Sequence, residues 1–286
     1  MTKQSKLTVG TLAIGVVAFT SSAATLVQDN FDSYANQAAF ESVWAPIGTV
    51  APLSAELSIA QASSGPNSIR VPGTASNSQS RNRLSFAETG LPSVTLITWS
   101  FDYYDSAPAA SPQRNFANLQ DTTGPSGTGQ LISMGLNNNQ TSANSGGNYY
   151  MARILGYTVP TTADPDGGPT ESVGGSGAYF KLNDFGVGLR SLGWHNLKVE
   201  ISSDDGLSAD FSFYVDNQLA EKVQNIGSAA TLRSYDNITI GSGLSNGSTE
   251  AFFDNMQLDV APVPEPSVAV LGLLGIGMLF GSRRRH

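Results

Sequence analysis

The side chains that could do chemistry in this chain are mostly carboxylates, amides and tyrosines. Asp29, Asn30 and Asp32 crowd one short stretch near the start, and Asp254 and Asn255 stand together near the end. Such hard oxygen donors suit Ca²⁺, which takes oxygens at about 2.3–2.6 Å. The same residue types also cap turns without any metal. Asp102 and Tyr104 alternate along one apolar-polar run, and Tyr149, Tyr150 and Tyr157 follow farther on. Rings flanked by acidic and amide groups hold sugars, the ring meeting a C–H face and the polar groups meeting hydroxyls. Tyrosine also packs well on any pleated surface, so this pattern has a purely structural reading beside the binding one.

Several chemistries are excluded by composition. The chain has no cysteine, so it has no disulfide, thiolate metal site or cysteine nucleophile. Its two histidines, His195 and His286, cannot build a histidine-rich transition-metal centre. A glycosidase needs two carboxylates about 5–9.5 Å apart. Asp102 and Asp105 lie at odd spacing on one strand and face opposite ways. Asp204-Asp205 reads as a turn-shaping pair, and Asp164-Pro165-Asp166-Gly167 as an ordinary turn. His195 is read as a structural histidine at a strand edge, because no Gly-x-Ser-x-Gly accompanies it. No residue is assigned as catalytic, and the balance leans against an enzyme.

Period-2 alternation broken by Gly, Asn, Ser and Pro supplies the elements that must position these groups. In 94–105, Ile97, Trp99, Phe101 and Tyr103 point one way and Thr98, Ser100, Asp102 and Tyr104 the other. Leu197, Val199 and Ile201 face inward on one strand and Phe211, Phe213 and Val215 on the next, with 202–207 as their turn. Further strands are expected over 130–136, 148–155, 179–182, 237–240 and 250–260, with no long amphipathic helix. Stretches 121–129, 137–147 and 158–177 are poor in apolar residues and read as rim loops. Many short strands with polar turns make an all-β, two-sheet antiparallel sandwich or jelly roll.

Two segments carry a resemblance that narrows this. Gly193-Trp194-His195-Asn196-Leu197-Lys198-Val199 followed by Phe211-Ser212-Phe213-Tyr214-Val215-Asp216-Asn217-Gln218-Leu219 resembles the hairpin of concanavalin A-like, laminin-G-like jelly rolls. Asn30-Phe31-Asp32-Ser33-Tyr34 and Phe252–Leu258 are similar to the family's opening and closing strands. Asn217 stands where the family usually has a turn glycine, a mild departure because Asn tolerates positive φ. The resemblance implies a fold that hosts lectins, glycosidases and passive adhesion modules. The Glu-x-Asp-x-x-Glu strand of the family's laminarinases is missing. In related binding modules the first and last strands are neighbours, which would bring Asp29 and Asp32 to Asp254 around a structural Ca²⁺.

The two ends read as sorting signals. Residues 1–24 hold Lys3 and Lys6, an apolar run over 7–19 and the small residues Thr20-Ser21-Ser22-Ala23-Ala24, the pattern of a secretory signal peptide cut after Ala24. At the other end Pro264-Glu265-Pro266 precedes an apolar run and the cluster Arg283-Arg284-Arg285. The prolines keep the tripeptide extended, and the arginines hold the terminus on the cytoplasmic side. A helix over 267–282 would span about 24 Å, short of the hydrocarbon core of about 30 Å, which favours transient retention. The arrangement closely resembles the PEP-CTERM sorting signal, which implies an exosortase-type partner. The expected organisation is signal peptide 1–24, jelly-roll domain 25–261 and sorting segment 262–286, the last touching the inner membrane before processing.

The chain has 15 Lys+Arg and 23 Asp+Glu; without Lys3, Lys6, the three tail arginines and Glu265, 10 stand against 22. Such a surface disfavours nucleic acid as a partner. The expected function is a non-catalytic carbohydrate-binding or adhesion module in the envelope, surface or extracellular matrix of a Gram-negative-type bacterium, with extracellular polysaccharide as partner. A secreted polysaccharide hydrolase or lyase and a purely structural biofilm protein are the alternatives. Among these residues Asp102, Tyr104 and Tyr149 are the candidate ligand contacts and Asp29, Asp32 and Asp254 the candidate calcium ligands.

Overall fold

The computed structural model describes residues 23–73, 79–108, 114–122, 130–137, 149–155, 179–225, 232–242 and 248–262. The signal and sorting segments, Tyr157, Asp164 and Asp166 lie outside them, as does most of the three expected rim loops. Among the described residues no helix is long and apolar enough to cross a membrane.

The strands, in chain order, are β1 (Ala24–Asp29), β2 (Ala45–Pro46), β3 (Glu56–Ser58), β4 (Ser68–Val71), β5 (Arg81–Ser85), β6 (Thr95–Asp105), β7 (Arg114–Asp121), β8 (Gln130–Asn137), β9 (Met151–Leu155), β10 (Tyr179–Lys181), β11 (Gly193–Ser202), β12 (Ala209–Val215), β13 (Gln218–Asn225), β14 (Asn237–Ser242) and β15 (Ala251–Pro262). They form two antiparallel sheets, making the chain a jelly-roll sandwich. The first sheet runs β13-β12-β11-β6-β15-β4-β3 with β1 also on β15, and the second runs β10-β9-β8-β7-β14-β5-β2.

The expected alternation is realised in the first sheet. Ile97, Trp99, Phe101, Leu197, Val199, Ile201, Phe211 and Phe213 are all at most 1% exposed and share one core. Across the core the second sheet supplies Ala117, Leu119, Ile132, Met134, Ile154, Ile238 and Ile240. The β12–β13 hairpin turns through Asp216 and Asn217, with φ of +51° and +64°. Both central residues are left-handed, as a two-residue hairpin that follows the strand twist requires, so Asn217 fills the glycine's place.

Strands β1 and β15 do pair, Asp29 lying opposite Met256. The chain then enters a seven-residue helix, α1 (Gln37–Val43), which was not expected from the sequence. Asn36 caps it, its side-chain oxygen accepting from the Ala39 backbone N–H at 3.0 Å. The helix is too short to show periodicity; it exists because Phe40 and Trp44 pack with Phe31 as a fully buried aromatic plug at the end of the sandwich. Strands β3, β4, β5, β7 and β13 were also not anticipated.

A second latch sits beside the β6–β11 pairing. Arg190 donates from Nε and Nη2 to Asp105 at 2.8 and 3.1 Å, with both side chains 2% exposed. The Tyr150 hydroxyl also approaches Asp105, and its ring packs on His195 at 5.3 Å. His195 holds Asp216 through Nδ1 at 2.8 Å while Nε2 faces the Ser191 carbonyl at 3.0 Å. This pattern ties the β11 entry to the hairpin turn and supports a structural role for His195.

Candidate ligand-binding face

In the second sheet the core-facing residues alternate with a face turned away from the core, and the strand registers align that face into rows. One row crosses six strands: Arg83 pairs with Thr239, Thr239 with Asn118, Asn118 with Ser133, Ser133 with Arg153 and Arg153 with Tyr179. All six side chains are polar. At about 4.8 Å per strand, Arg83 and Arg153 lie four strands and roughly 19 Å apart. Asn118 Nδ2 donates to Thr239 Oγ1 at 2.9 Å, which fixes both groups in the middle of the row.

The neighbouring row supplies an apolar floor. Phe116, Met151 and Tyr179 form a cluster separate from the main core. Phe116 and Tyr179 come within 5.3 Å, nearly parallel at 30°, although two strands separate them. Gly135 makes this possible: it stands in register between Phe116 and Met151, so no side chain blocks the rings as they lean together. The Arg153 guanidinium lies 5.1 Å from the Tyr179 ring centre, a cation–π contact. Burial pushes the Tyr179 hydroxyl above its ordinary pKa, against the opposing pull of Arg153, and so keeps it protonated.

The face is basic in an acidic protein. Arg81, Arg83, Arg114, Arg153 and Lys181 all fall on its register positions, and among the described residues none of those positions holds a carboxylate. Burial holds the Arg81 guanidinium below its usual pKa, and repulsion from Arg83 adds to the effect. Polar atoms without a hydrogen bond also gather here. Arg83 Nε, Arg114 Nε, Gln120 Oε1 and Asn237 Oδ1 are buried and unpartnered, although Arg114 is only 5% and Asn237 only 1% exposed. Buried polar atoms are normally satisfied, so four on one face mark a place where a partner fits. Donors and acceptors of both kinds, with an aromatic floor, can hold a polyhydroxylated chain.

Most of these residues escaped the sequence reading because β7 was not recognised as a strand. It is central in its sheet and buried on both faces, so Arg114, Asn115 and Asn118 break the hydrophobic alternation. A weaker signal was present: Phe116, Asn118 and Gln120 share one parity, and turn-forming residues flank the run.

The expected ligand contacts lie elsewhere. Asp102 and Tyr104 sit on the outward face of the first sheet. Asp102 accepts from Ser63 Oγ, Asn196 Nδ2 and Asn255 Nδ2 at 2.6, 2.9 and 2.8 Å. Tyr104 packs edge-on against Trp194 and Phe252 and lines a cleft of about 470 Å³ with Glu56, Arg70 and Glu250. Tyr149 is half-buried just before β9, in the other sheet, and is not in that cleft.

The calcium expectation has its strand pairing but not its ligand shell. Asp29 accepts from the Phe31 N–H at 2.8 Å, from Trp44 Nε1 at 2.8 Å and from the Tyr34 hydroxyl at 2.5 Å. Asp32 accepts from the Asn67 N–H and from Asn30 Nδ2. Asp254, fully buried, accepts from three backbone N–H groups, those of Ser63, Ser64 and Asn255, at 2.8, 3.0 and 2.7 Å. Donors occupy the carboxylate oxygens that a cation would need, and among the described residues no three His, Cys, Asp or Glu gather as metal ligands. As placed, these residues do not fit Ca²⁺.

No protein-family model matches the chain, and no curated protein matches it. Solved structures do resemble it. A carbohydrate esterase from Shiga toxin-encoding bacteriophage phi24B is 12% identical, over 84% of this chain and 99% of its own, with a TM-score of 0.50. The alginate lyase Aly36B is 11% identical over 83% of this chain and 96% of its own, with a TM-score of 0.49. The potassium-bound carbohydrate recognition domain of Emp46p is 14% identical over 82% and 95%, with a TM-score of 0.42. At such identities the likeness speaks for the fold alone, a jelly-roll sandwich.

Proposed function

We propose that the chain is an exported, non-catalytic carbohydrate-binding module whose glycan lies across the outer face of β5, β14, β7, β8, β9 and β10. The observation that carries this reading is the unbroken polar row from Arg83 to Tyr179, laid beside the Phe116–Tyr179 stack. Rows of hydrogen-bonding groups suit a linear polymer, and ring faces suit the C–H surfaces of pyranoses. Binding rather than turnover is favoured because these register positions hold no carboxylate or histidine among the described residues to act as general base. The jelly-roll neighbours include an esterase, a lyase and a lectin-type domain. A hydrolase or lyase is therefore the rival, and a purely structural surface protein the third reading.

Export and sorting complete the proposal. Residues 1–24 direct secretion, and an exosortase-type enzyme recognises Pro264-Glu265-Pro266, the following apolar run and Arg283-Arg284-Arg285, releasing the domain to the envelope or matrix.

The test is a glycan array probed with the secreted protein, wild type and Asn118→Ala. The expected result is saturable binding to at least one glycan, weakened about tenfold or more by the substitution, equivalent to about 1.4 kcal/mol. Loss of binding in Tyr104→Ala but not in Asn118→Ala would move the site to the first sheet. Time-dependent depolymerisation of a bound glycan would establish the enzyme reading, and an empty array the structural one.

A further inference from the structure

The electrostatics of the same face narrow its ligand, on the premise that a glycan binds there. Setting aside Lys3, Lys6, Arg283, Arg284 and Arg285, ten of the chain's 15 Lys and Arg remain. Five of the ten stand on this one face, whereas the protein as a whole carries a net charge of −8. Their placement is ordered. Arg81 and Arg83 mark one side on β5, Arg153 and Lys181 the other side on β9 and β10, and Arg114 the β7 end between them. The polar middle of Thr239, Asn118 and Ser133 lies inside this frame.

Concentrating like charges in a partly buried place is unfavourable, and the depressed basicity of Arg81 registers that repulsion. Neither Arg81 nor Arg83 has a carboxylate opposite it in the strand pairing, where Arg81 faces Gly241 and Arg83 faces Thr239. The buried, unpartnered Nε atoms of Arg83 and Arg114 are charged donors, which an anionic oxygen satisfies better than a hydroxyl does. The unpartnered oxygens of Gln120 and Asn237, paired in register, are acceptors and suit hydroxyl donors. A neutral sugar would satisfy the second pair and leave the first desolvated and unmatched.

We infer that this face takes a polyanionic glycan, a polymer bearing carboxylate or sulfate groups, with Arg83 and Arg114 as its anion contacts and Gln120 and Asn237 receiving its hydroxyls. The frame spans about 19 Å between Arg83 and Arg153, so the ligand is an oligomer of several residues, whose anionic groups reach separate guanidinium groups.

The experiment measures binding of the full-length protein to alginate, polygalacturonate, hyaluronan and dextran sulfate. Each uronate polymer is also tested after chemical reduction of its carboxylates to alcohols, which removes the charge and keeps the backbone. Expected is saturable binding to at least one acidic polymer, at least about tenfold weaker for its reduced form. Binding should also weaken as salt rises from about 0.05 to 0.3 M, because screening shortens the reach of the guanidinium charges. Arg83→Gln should lose about tenfold while Arg83→Lys retains most of the affinity, and thermal melts should show both folded. Arg83 is only half-buried, so this pair remains informative if Arg114→Gln fails to fold.

Equal affinity for an acidic polymer and its reduced form would overturn the inference while leaving the glycan reading intact. So would binding of dextran sulfate that is indifferent to Arg83→Gln, which is non-specific attraction, or preferential binding of single-stranded DNA included as a competitor. Absence of binding to every glycan, charged or neutral, would overturn both readings together.

Discussion

Replacing Arg190 by methionine tests how the connection between the two sheets is held. Arg190 meets Asp105 through two nitrogens, at 2.8 and 3.1 Å, and Nη2 also reaches the Ala107 carbonyl at 3.3 Å. Both charged side chains are 2% exposed. Removing the cation leaves a carboxylate at the end of β6 with the Ala107 N–H at 3.2 Å and the distant Tyr150 hydroxyl at 3.5 Å. Breaking a buried pair from one side costs about 3–5 kcal/mol, far more than the pair's net worth, because the surviving charge keeps its desolvation penalty. At about 2–4 °C per kcal/mol for a domain of this size, Arg190→Met should lower Tm by about 6–20 °C. Asp105→Leu combined with Arg190→Met should recover much of that loss, since no charge is then stranded. Urea unfolding of the wild type, both single variants and the double variant gives the coupling. Strictly additive losses, or a loss below about 1 kcal/mol for Arg190→Met, would refute the latch.

Two further outcomes follow from the titratable groups. The hydrogen bond from Asp216 raises the His195 pKa above its ordinary 6.5, against the effect of burial. A raised folded-state pKa means that the stabilisation is complete below 6.5 and disappears as pH climbs through the folded value. The stability gap between wild type and His195→Gln, measured by denaturant unfolding, should therefore be largest in acid and close with rising pH; a gap that widens instead would contradict the assignment. Asp254→Asn should cost about 2–4 kcal/mol through loss of charge-assisted bonds to the Ser63, Ser64 and Asn255 N–H groups. That loss should be the same in millimolar Ca²⁺ and in chelator. A wild-type Tm that rises in Ca²⁺ while that of Asp254→Asn does not would show that the carboxylates re-aim around an ion.

The architecture was legible wherever one face of a strand meets the core and the other meets water. Ile97, Trp99, Phe101 and Tyr103 alternate with Thr98, Ser100, Asp102 and Tyr104 for that reason, and all four apolar-parity side chains are buried. The Asp216-Asn217 turn was legible because its φ values demand such residues. Pairing of the first and last strands was also correctly anticipated from the resemblance, but the role of their carboxylates was not. Whether Asp254 meets a cation or three N–H groups depends on where the Ser63–Ser64 turn lands, 190 residues away in sequence. The candidate site was least legible of all. Arg83, Asn118, Ser133, Arg153, Tyr179 and Thr239 have no common spacing, and they become one row only through five strand registers. Local alternation reports which side of a strand is apolar, a property of the strand and its solvent. Which polar side chains stand next to each other is set by long-range pairing, and in a central strand such as β7, covered on both faces, even the alternation is lost.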